Sequence, residues 1–199
     1  AFIPVAERCG LIEDLGAWVL ARACKDAARW RGRGEEHVAV AVNLSPGEVN
    51  SRLLPRVTRI LGEAGLPPEA LVLEITESLW MDNSVGATSS LLELAALGVS
   101  LSVDDFGTGH SSLGRLRALP VVEFKIDQSF ARDVTDDPAA EAMIEAVVAM
   151  GRALGRRVVA EGVETTAQLL ALRKLGCDGV EGYVQARPQP CEAMVREVP

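Results

Sequence analysis

Residues 99–109 read Val-Ser-Leu-Ser-Val-Asp-Asp-Phe-Gly-Thr-Gly. The first six form a short apolar run of β type that stops at two adjacent aspartates and a glycine-rich loop. Gly98, just before the run, ends a helix predicted over 84–97. A short helix is predicted near 111–118, and Val-Val-Glu-Phe-Lys-Ile at 121–126 reads as the next strand. The unit of this chain is therefore a buried strand, a polar loop and a helix. Gly107-Thr108-Gly109 lacks the third glycine of a dinucleotide fingerprint and carries little weight alone.

The same unit recurs on both sides. Upstream, 71–75 (Leu-Val-Leu-Glu-Ile) and 38–43 (Val-Ala-Val-Ala-Val-Asn) are strands. Between them a helix around 49–64 is stopped by Gly65 and Pro67-Pro68. Before Arg31-Gly32-Arg33-Gly34, apolar residues at helical spacing predict a helix over 5–24. Downstream, Asp137 caps a helix that starts at Pro138 and runs to Gly155. A strand follows at 157–161, and Thr165 with Gln168 has capping-box spacing for a helix through Lys174. A last strand covers about 178–181, with a helical tail after Pro190.

One helix followed by six strand–helix units predicts an α/β fold with parallel strands and crossover helices. The strands are nearly continuous apolar runs, as expected when both faces are covered. An open doubly wound sheet and a (β/α)8 barrel both satisfy this pattern.

The 199 residues suit one domain, and no linker or low-complexity segment divides them. Hydrophobic residues make up 48% and charged residues 24%, which excludes a disordered or collagen-like chain. No apolar run approaches the roughly 20 residues of a membrane span. Lys and Arg number 20 against 28 Asp and Glu, a formal charge of −8, so duplex nucleic acid is a poor partner. A phosphate-bearing substrate stays compatible if bound cations reverse the local sign. The four cysteines (9, 24, 177 and 191) have no metal-binding spacing and are expected to be buried, reduced thiols of a cytoplasmic protein. The chain begins at Ala1 rather than Met, as a fragment or processed product would.

Polar residues punctuate the carboxyl ends of the apolar runs: Asn43, Glu74, Asp104-Asp105, Lys125, Glu161 and Glu181. One such residue reads as a helix cap or an ion pair. A whole series reads as a site, because buried carboxylates are costly unless paired or metal-bound. In a barrel these ends converge on one face. Oxygen ligands without His or Cys suit Mg²⁺ or Mn²⁺, with Ca²⁺ as a substitute or inhibitor. Asp104 and Asp105 serve two ions if the strand ends there, whereas mid-strand they point to opposite faces. Two ions suggest in-line hydrolysis of a phosphoester, with Lys125 supplying positive charge.

The chain resembles the EAL domain of bacterial cyclic-di-GMP phosphodiesterases. The matching stretches are Phe2-Ile3-Pro4-Val5-Ala6-Glu7, Gly10-Leu11-Ile12, Val42-Asn43-Leu44-Ser45, Glu74-Ile75-Thr76-Glu77 and Asp104-Asp105-Phe106-Gly107-Thr108-Gly109. Phe124-Lys125-Ile126-Asp127, Ala160-Glu161-Gly162-Val163-Glu164 and Glu181-Gly182-Tyr183 complete the set. The resemblance implies a modified (β/α)8 TIM barrel of the EAL type that hydrolyses cyclic-di-GMP to linear pGpG. It implies that Asn43, Glu74 and Asp104 ligate one metal, and that Asp104 bridges to a second held by Asp105 and Glu161. Lys125 then orients or activates the water, with Asp105 and Glu161 at the catalytic centre. Glu77 anchors the loop 105–113, which the family couples to dimerisation. Glu164 is a supporting residue rather than a ligand, and Glu181 lies at the substrate or supports the site. A homodimer, and an upstream sensor or diguanylate cyclase domain that could anchor the whole protein in a membrane, are further expectations.

Three departures qualify the resemblance. The glutamate of the Glu-Ala-Leu signature and the arginine after it precede the Phe-Ile-Pro stretch in the family and would lie before Ala1, with the first two barrel strands. Residues 1–199 are then the C-terminal portion of one EAL-type domain, with no second domain. Alone they are expected to show little activity and to need cover for exposed sheet edges. Glu181 stands where the family usually has Gln, and His110 where it usually has Tyr; no ligand role is expected for His110. The alternatives are a degenerate EAL domain that binds cyclic-di-GMP or a protein without catalysis, and an unrelated metal-dependent α/β enzyme.

Overall fold

The computed structural model describes residues 2–81, 85–107 and 120–191. The helix predicted near 111–118, His110 and most of the tail after Pro190 lie outside them. Two compact units form the chain: Ala1–Asp104 with Gly109–Val122, and Asp105–Thr108 with Glu123–Pro199.

In the first unit, the helix predicted over 5–24 is two helices, α1 (Ile3–Arg8) and α2 (Ile12–Arg31). Gly10 separates them with φ +69. The Gly10 amide donates to Glu7 O (3.1 Å) and the Leu11 amide to Ala6 O (2.8 Å), which closes a Schellman cap. The apolar spacing runs through this break, so periodicity alone does not reveal it. Strand β1 (Val40–Asn43) follows, then a single 3-10 turn, Pro46–Glu48. Helix α3 is Leu53–Ala64, starting later than predicted, because the Ser45–Glu48 capping box closes the turn before it.

Strands β2 (Leu71–Thr76) and β3 (Ser100–Phe106) enclose α4 (Glu77–Met81) and α5 (Val85–Leu97) in sequence. The three strands pair in parallel, with Asn43 opposite Glu74, Glu74 opposite Ser102 and Thr76 opposite Asp104. Helix α2 packs on α3 and β1, and α3 on α5. Leu53, Val57 and Ile60 of α3, Leu71, Leu73 and Ile75 of β2, and Leu101 and Val103 of β3 are buried. Burying one such side chain stabilises the fold by about 1.5–3 kcal/mol.

The second unit holds β4 (Glu123–Ile126), α6 (Gln128–Asp133), α7 (Pro138–Leu154), β5 (Arg157–Ala160), α8 (Thr166–Leu175) and β6 (Gly179–Val180). Its strands are also parallel, with Lys125 opposite Val159 and Val159 opposite Gly179. The predicted caps are present. Asp137 accepts from the Ala139 amide at 2.9 Å, and the Thr165 hydroxyl accepts from the Gln168 amide at 3.2 Å. Phe124, Ile126, Ile144, Val158 and Leu172 are buried, and the Phe106 and Phe124 rings pack at a 34° tilt with centroids 4.9 Å apart. Among the described residues, no helix is long and apolar enough to cross a membrane.

The cysteines depart from expectation. Cys24 is buried, Cys9 is exposed, and Cys177 and Cys191 are half-buried. Burial pushes the Cys24 thiol up to about 11. The thiolate is the reactive form. At pH 8 an aromatic disulfide reagent should therefore label Cys9 and leave Cys24 unmodified until denaturant is added. Mass spectrometry of peptides checks this, and prompt labelling of Cys24 would contradict its burial.

Candidate metal centre

Parallel register places like with like. Asn43, Glu74 and Ser102 share a rung, and Asp104 stands two residues beyond Ser102, so all four face the same side of β1–β3. The Asn43 side-chain amide donates to Glu74 Oε2 at 3.0 Å. Glu74 is buried and Asn43 exposed, so the pair runs from the interior to the surface. Just beyond β1, the Ser45 amide donates to Glu48 Oε2 at 3.1 Å and the Ser45 hydroxyl to Glu7 Oε1 at 2.6 Å. Burial pushes the Glu48 carboxyl up, opposed by that Ser45 amide and by Arg56. These contacts hold the turn that follows Asn43. Glu77 begins α4 directly after β2 and is buried. Of the loop predicted to rest on it, residues 108–113 lie outside the described residues.

Asp104 is the last residue of the first segment of one unit, and Asp105 opens the first segment of the other. The strand assignment continues through them to Phe106, beyond the end predicted at Asp104. Simple alternation fails there, because Asp105 has φ +54 and is the only described non-glycine residue in the left-handed region. Asp tolerates this conformation better than most residues. A carboxylate oxygen of Asp105 and one of Glu161 lie within 4.8 Å of each other.

Lys125 is the centre of the second unit's site. Its side chain points to the same face as that of Val159, its register partner, which pairs in turn with Gly179. Glu161 and Glu181 stand two residues beyond those partners. Their amides extend the ladder, donating to Ile126 O (3.1 Å) and Ala160 O (2.8 Å). The Lys125 ammonium is 2.5 Å from Glu161 Oε1 and 3.0 Å from Glu181 Oε2. Lys125 is only 2% exposed. A buried ammonium needs such partners, since leaving it unpaired is expensive. Glu164 is exposed, and its backbone amide donates to Gln168 Oε1 at 2.9 Å, within the cap of α8.

Asp127 is a functional candidate that the strand-end pattern does not single out. It caps α6, accepting from the Ser129 amide at 3.0 Å and from the Ser129 hydroxyl. Burial opposes its charge. Hydrogen bonds with the Ser129 hydroxyl and amide, the Asp105 side chain and the Gln128 amide outweigh that and hold its carboxyl below the usual range. Asp127 thus joins the strained Asp105 to the start of a helix. Its signal was present in the Lys-Ile-Asp-Gln-Ser order of residues 125–129, where an Asp precedes a Ser at N-cap spacing.

Parallel strands with oxygen donors collected past their carboxyl ends define an α/β domain suited to a hard cation. The EAL domain family profile matches residues 1–188, and the chain belongs to the EAL domain family. It is 41% identical over 198 residues to the bifunctional diguanylate cyclase/cyclic di-GMP phosphodiesterase MucR of Pseudomonas aeruginosa, covering 99% of this chain and 29% of that protein. The solved PaMucR phosphodiesterase in complex with c-di-GMP superposes with a TM-score of 0.94 at 42% identity, over 98% of this chain and 79% of that one. The calcium/cy-diGMP complex of Klebsiella pneumoniae BlrP1 gives a TM-score of 0.80 at 28% identity, over 89% and 45%. The chain spans about a quarter of the length of the curated relatives it matches.

Proposed function

We propose that residues 1–199 act as one EAL-type domain of a cytoplasmic, metal-dependent phosphodiesterase that hydrolyses cyclic-di-GMP to linear pGpG. The observation that carries this reading is the buried Lys125 held between Glu161 and Glu181, with an Asp105 oxygen close to Glu161. The match to the PaMucR phosphodiesterase–c-di-GMP complex supports the choice of substrate.

The donor set fits hard divalent cations, since every proposed ligand offers oxygen. Asn43, Glu74 and Asp104 would hold one ion. Asp104, Asp105 and Glu161 would hold a second. Mg²⁺ or Mn²⁺ bound there lowers the pKa of water and neutralises phosphate charge. The chain's own residues do the rest. Lys125 presents its ammonium toward the attacking water, and Glu161 orients that ammonium. The water oxygen bonds to phosphorus as one ester P–O bond breaks; the water gives up one proton and the leaving oxygen takes one up, so the water ends divided between the phosphate and the released hydroxyl. Glu77 and Glu164 support the surrounding turns. Ca²⁺, larger and with looser geometry, is expected to inhibit. A homodimer and an attached sensor or diguanylate cyclase domain complete the proposal.

The test is chromatographic. The full-length protein with Mg²⁺ or Mn²⁺ should convert cyclic-di-GMP to pGpG, and EDTA or Ca²⁺ should stop it. Tight cyclic-di-GMP binding without product would favour a non-catalytic binder, and neither binding nor product would refute the assignment.

A further inference from the structure

We propose that Glu181 is a positioning residue. It shares the Lys125 ammonium with Glu161 and thereby leaves the Glu161 carboxylate negative charge to offer a divalent cation. The inference rests on the metal-dependent reading above and assigns a role to a carboxylate where the resemblance leads one to expect an amide.

Glu161 faces two claims. Lys125 Nζ lies 2.5 Å from Glu161 Oε1, and an oxygen of Asp105 lies within 4.8 Å of an oxygen of Glu161. A carboxylate fully engaged by an ammonium is a weaker ligand, because the bound positive charge repels a second cation. Glu181 changes this balance. It stands on the neighbouring strand end, level with Glu161 in the register that pairs Val159 with Gly179, and its Oε2 reaches the same nitrogen at 3.0 Å. The ammonium is therefore shared between two carboxylates. The three side chains together carry one net negative charge, where a Gln at 181 would leave them neutral. The exposures fit this division of labour: the Lys125 side chain is 3% exposed, Glu161 23% and Glu181 51%. Glu181 can draw on the ammonium from the solvent side while Glu161 faces inward. The backbone fixes its place, since the Glu181 amide donates to Ala160 O at 2.8 Å and its carbonyl accepts from the Val163 amide at 3.0 Å.

Calorimetric titration of Mn²⁺ into the full-length protein tests the idea on wild type, Glu181→Gln, Lys125→Met and the double variant. Glu181→Gln should weaken Mn²⁺ binding about fivefold, the upper range for a partly screened pair. Lys125→Met should tighten it. In the Lys125→Met background, Glu181→Gln should change affinity less than about twofold, because the residue acts through the lysine. Glu181→Asp, which keeps the charge, should restore most of the affinity. The thermal midpoint of Glu181→Gln should match wild type, as befits a half-exposed side chain. An unchanged affinity in Glu181→Gln would overturn the proposal. Equal weakening in both backgrounds would also overturn it and mark Glu181 as meeting the cation directly. Absence of Mn²⁺ binding in the wild type would instead bring down the metal-dependent reading, and this inference with it.

Discussion

Replacing Asp105 by Asn is expected to lower cyclic-di-GMP hydrolysis about 10²–10³-fold while leaving the thermal midpoint nearly unchanged, the scale seen when one well-placed electrostatic group is removed. The separation follows from the backbone. Asp105 sits at φ +54, where most L side chains are strained and only Asn and Asp visit routinely besides Gly. Asn fills the same volume, accepts the same dihedrals and offers its side-chain NH2 as a donor to the Asp127 carboxylate. What it removes is the charge beside Glu161. Asp105→Ala should cost activity equally and also destabilise the fold by about 1–2 kcal/mol, the penalty of the left-handed conformation without a local polar partner. Asp105→Gly should lose activity with the strain relaxed. Initial rates and thermal melts on the three variants give the pattern. Full activity in Asp105→Asn would remove Asp105 from the ligand set.

This residue also shows where sequence stops being informative. The position of Asp105 after an apolar run was legible, because buried strands announce themselves as continuous Val, Leu and Ile. The same reason made β2 and β5 readable to within a residue. Helix α7 was readable from its ends, since Asp137 and Pro138 fit only a start and Gly155 fits a stop. The left-handed turn at Asp105 was not legible, because Asp is common in ordinary strand ends and loops. The break at Gly10 was hidden by apolar residues that keep helical phase on both sides of it.

Pairings across strands were the least accessible. That Lys125, Glu161 and Glu181 all stand near strand ends follows from composition along the chain. That one ammonium is shared by two carboxylates depends on register, which relates residues 125, 159 and 179 only after folding. The motif alone assigns Asp127 no role, because its value lies in a contact with Asp105, 22 positions earlier by number. Sequence thus named most candidate residues and left their partnerships open.

Gly182→Ala is expected to destabilise the protein by about 3 kcal/mol or more and to abolish turnover with it. Gly182 has φ +148, and a Cβ there would fall 2.3 Å from Val163 O and 2.4 Å from Val163 N. Both are backbone atoms and cannot rotate aside. The segment after β6 would have to lift, losing the Val163 amide bond to Glu181 O (3.0 Å) and the Val184 amide bond to Val163 O (2.9 Å). Each lost bond that leaves a buried group unsatisfied costs about 1–3 kcal/mol. Glu181 would move with the segment, and Lys125 would lose the Glu181 carboxylate. Gly10→Ala is the matched control. Gly10 also has positive φ (+69), yet nothing lies within 4 Å of the added Cβ. It should cost only the backbone term, about 1–2 kcal/mol, and keep its turnover. Urea unfolding of the two variants separates steric exclusion from backbone strain. Equal destabilisation would mean that the approach of Val163 to Gly182 contributes nothing to holding Glu181 in place.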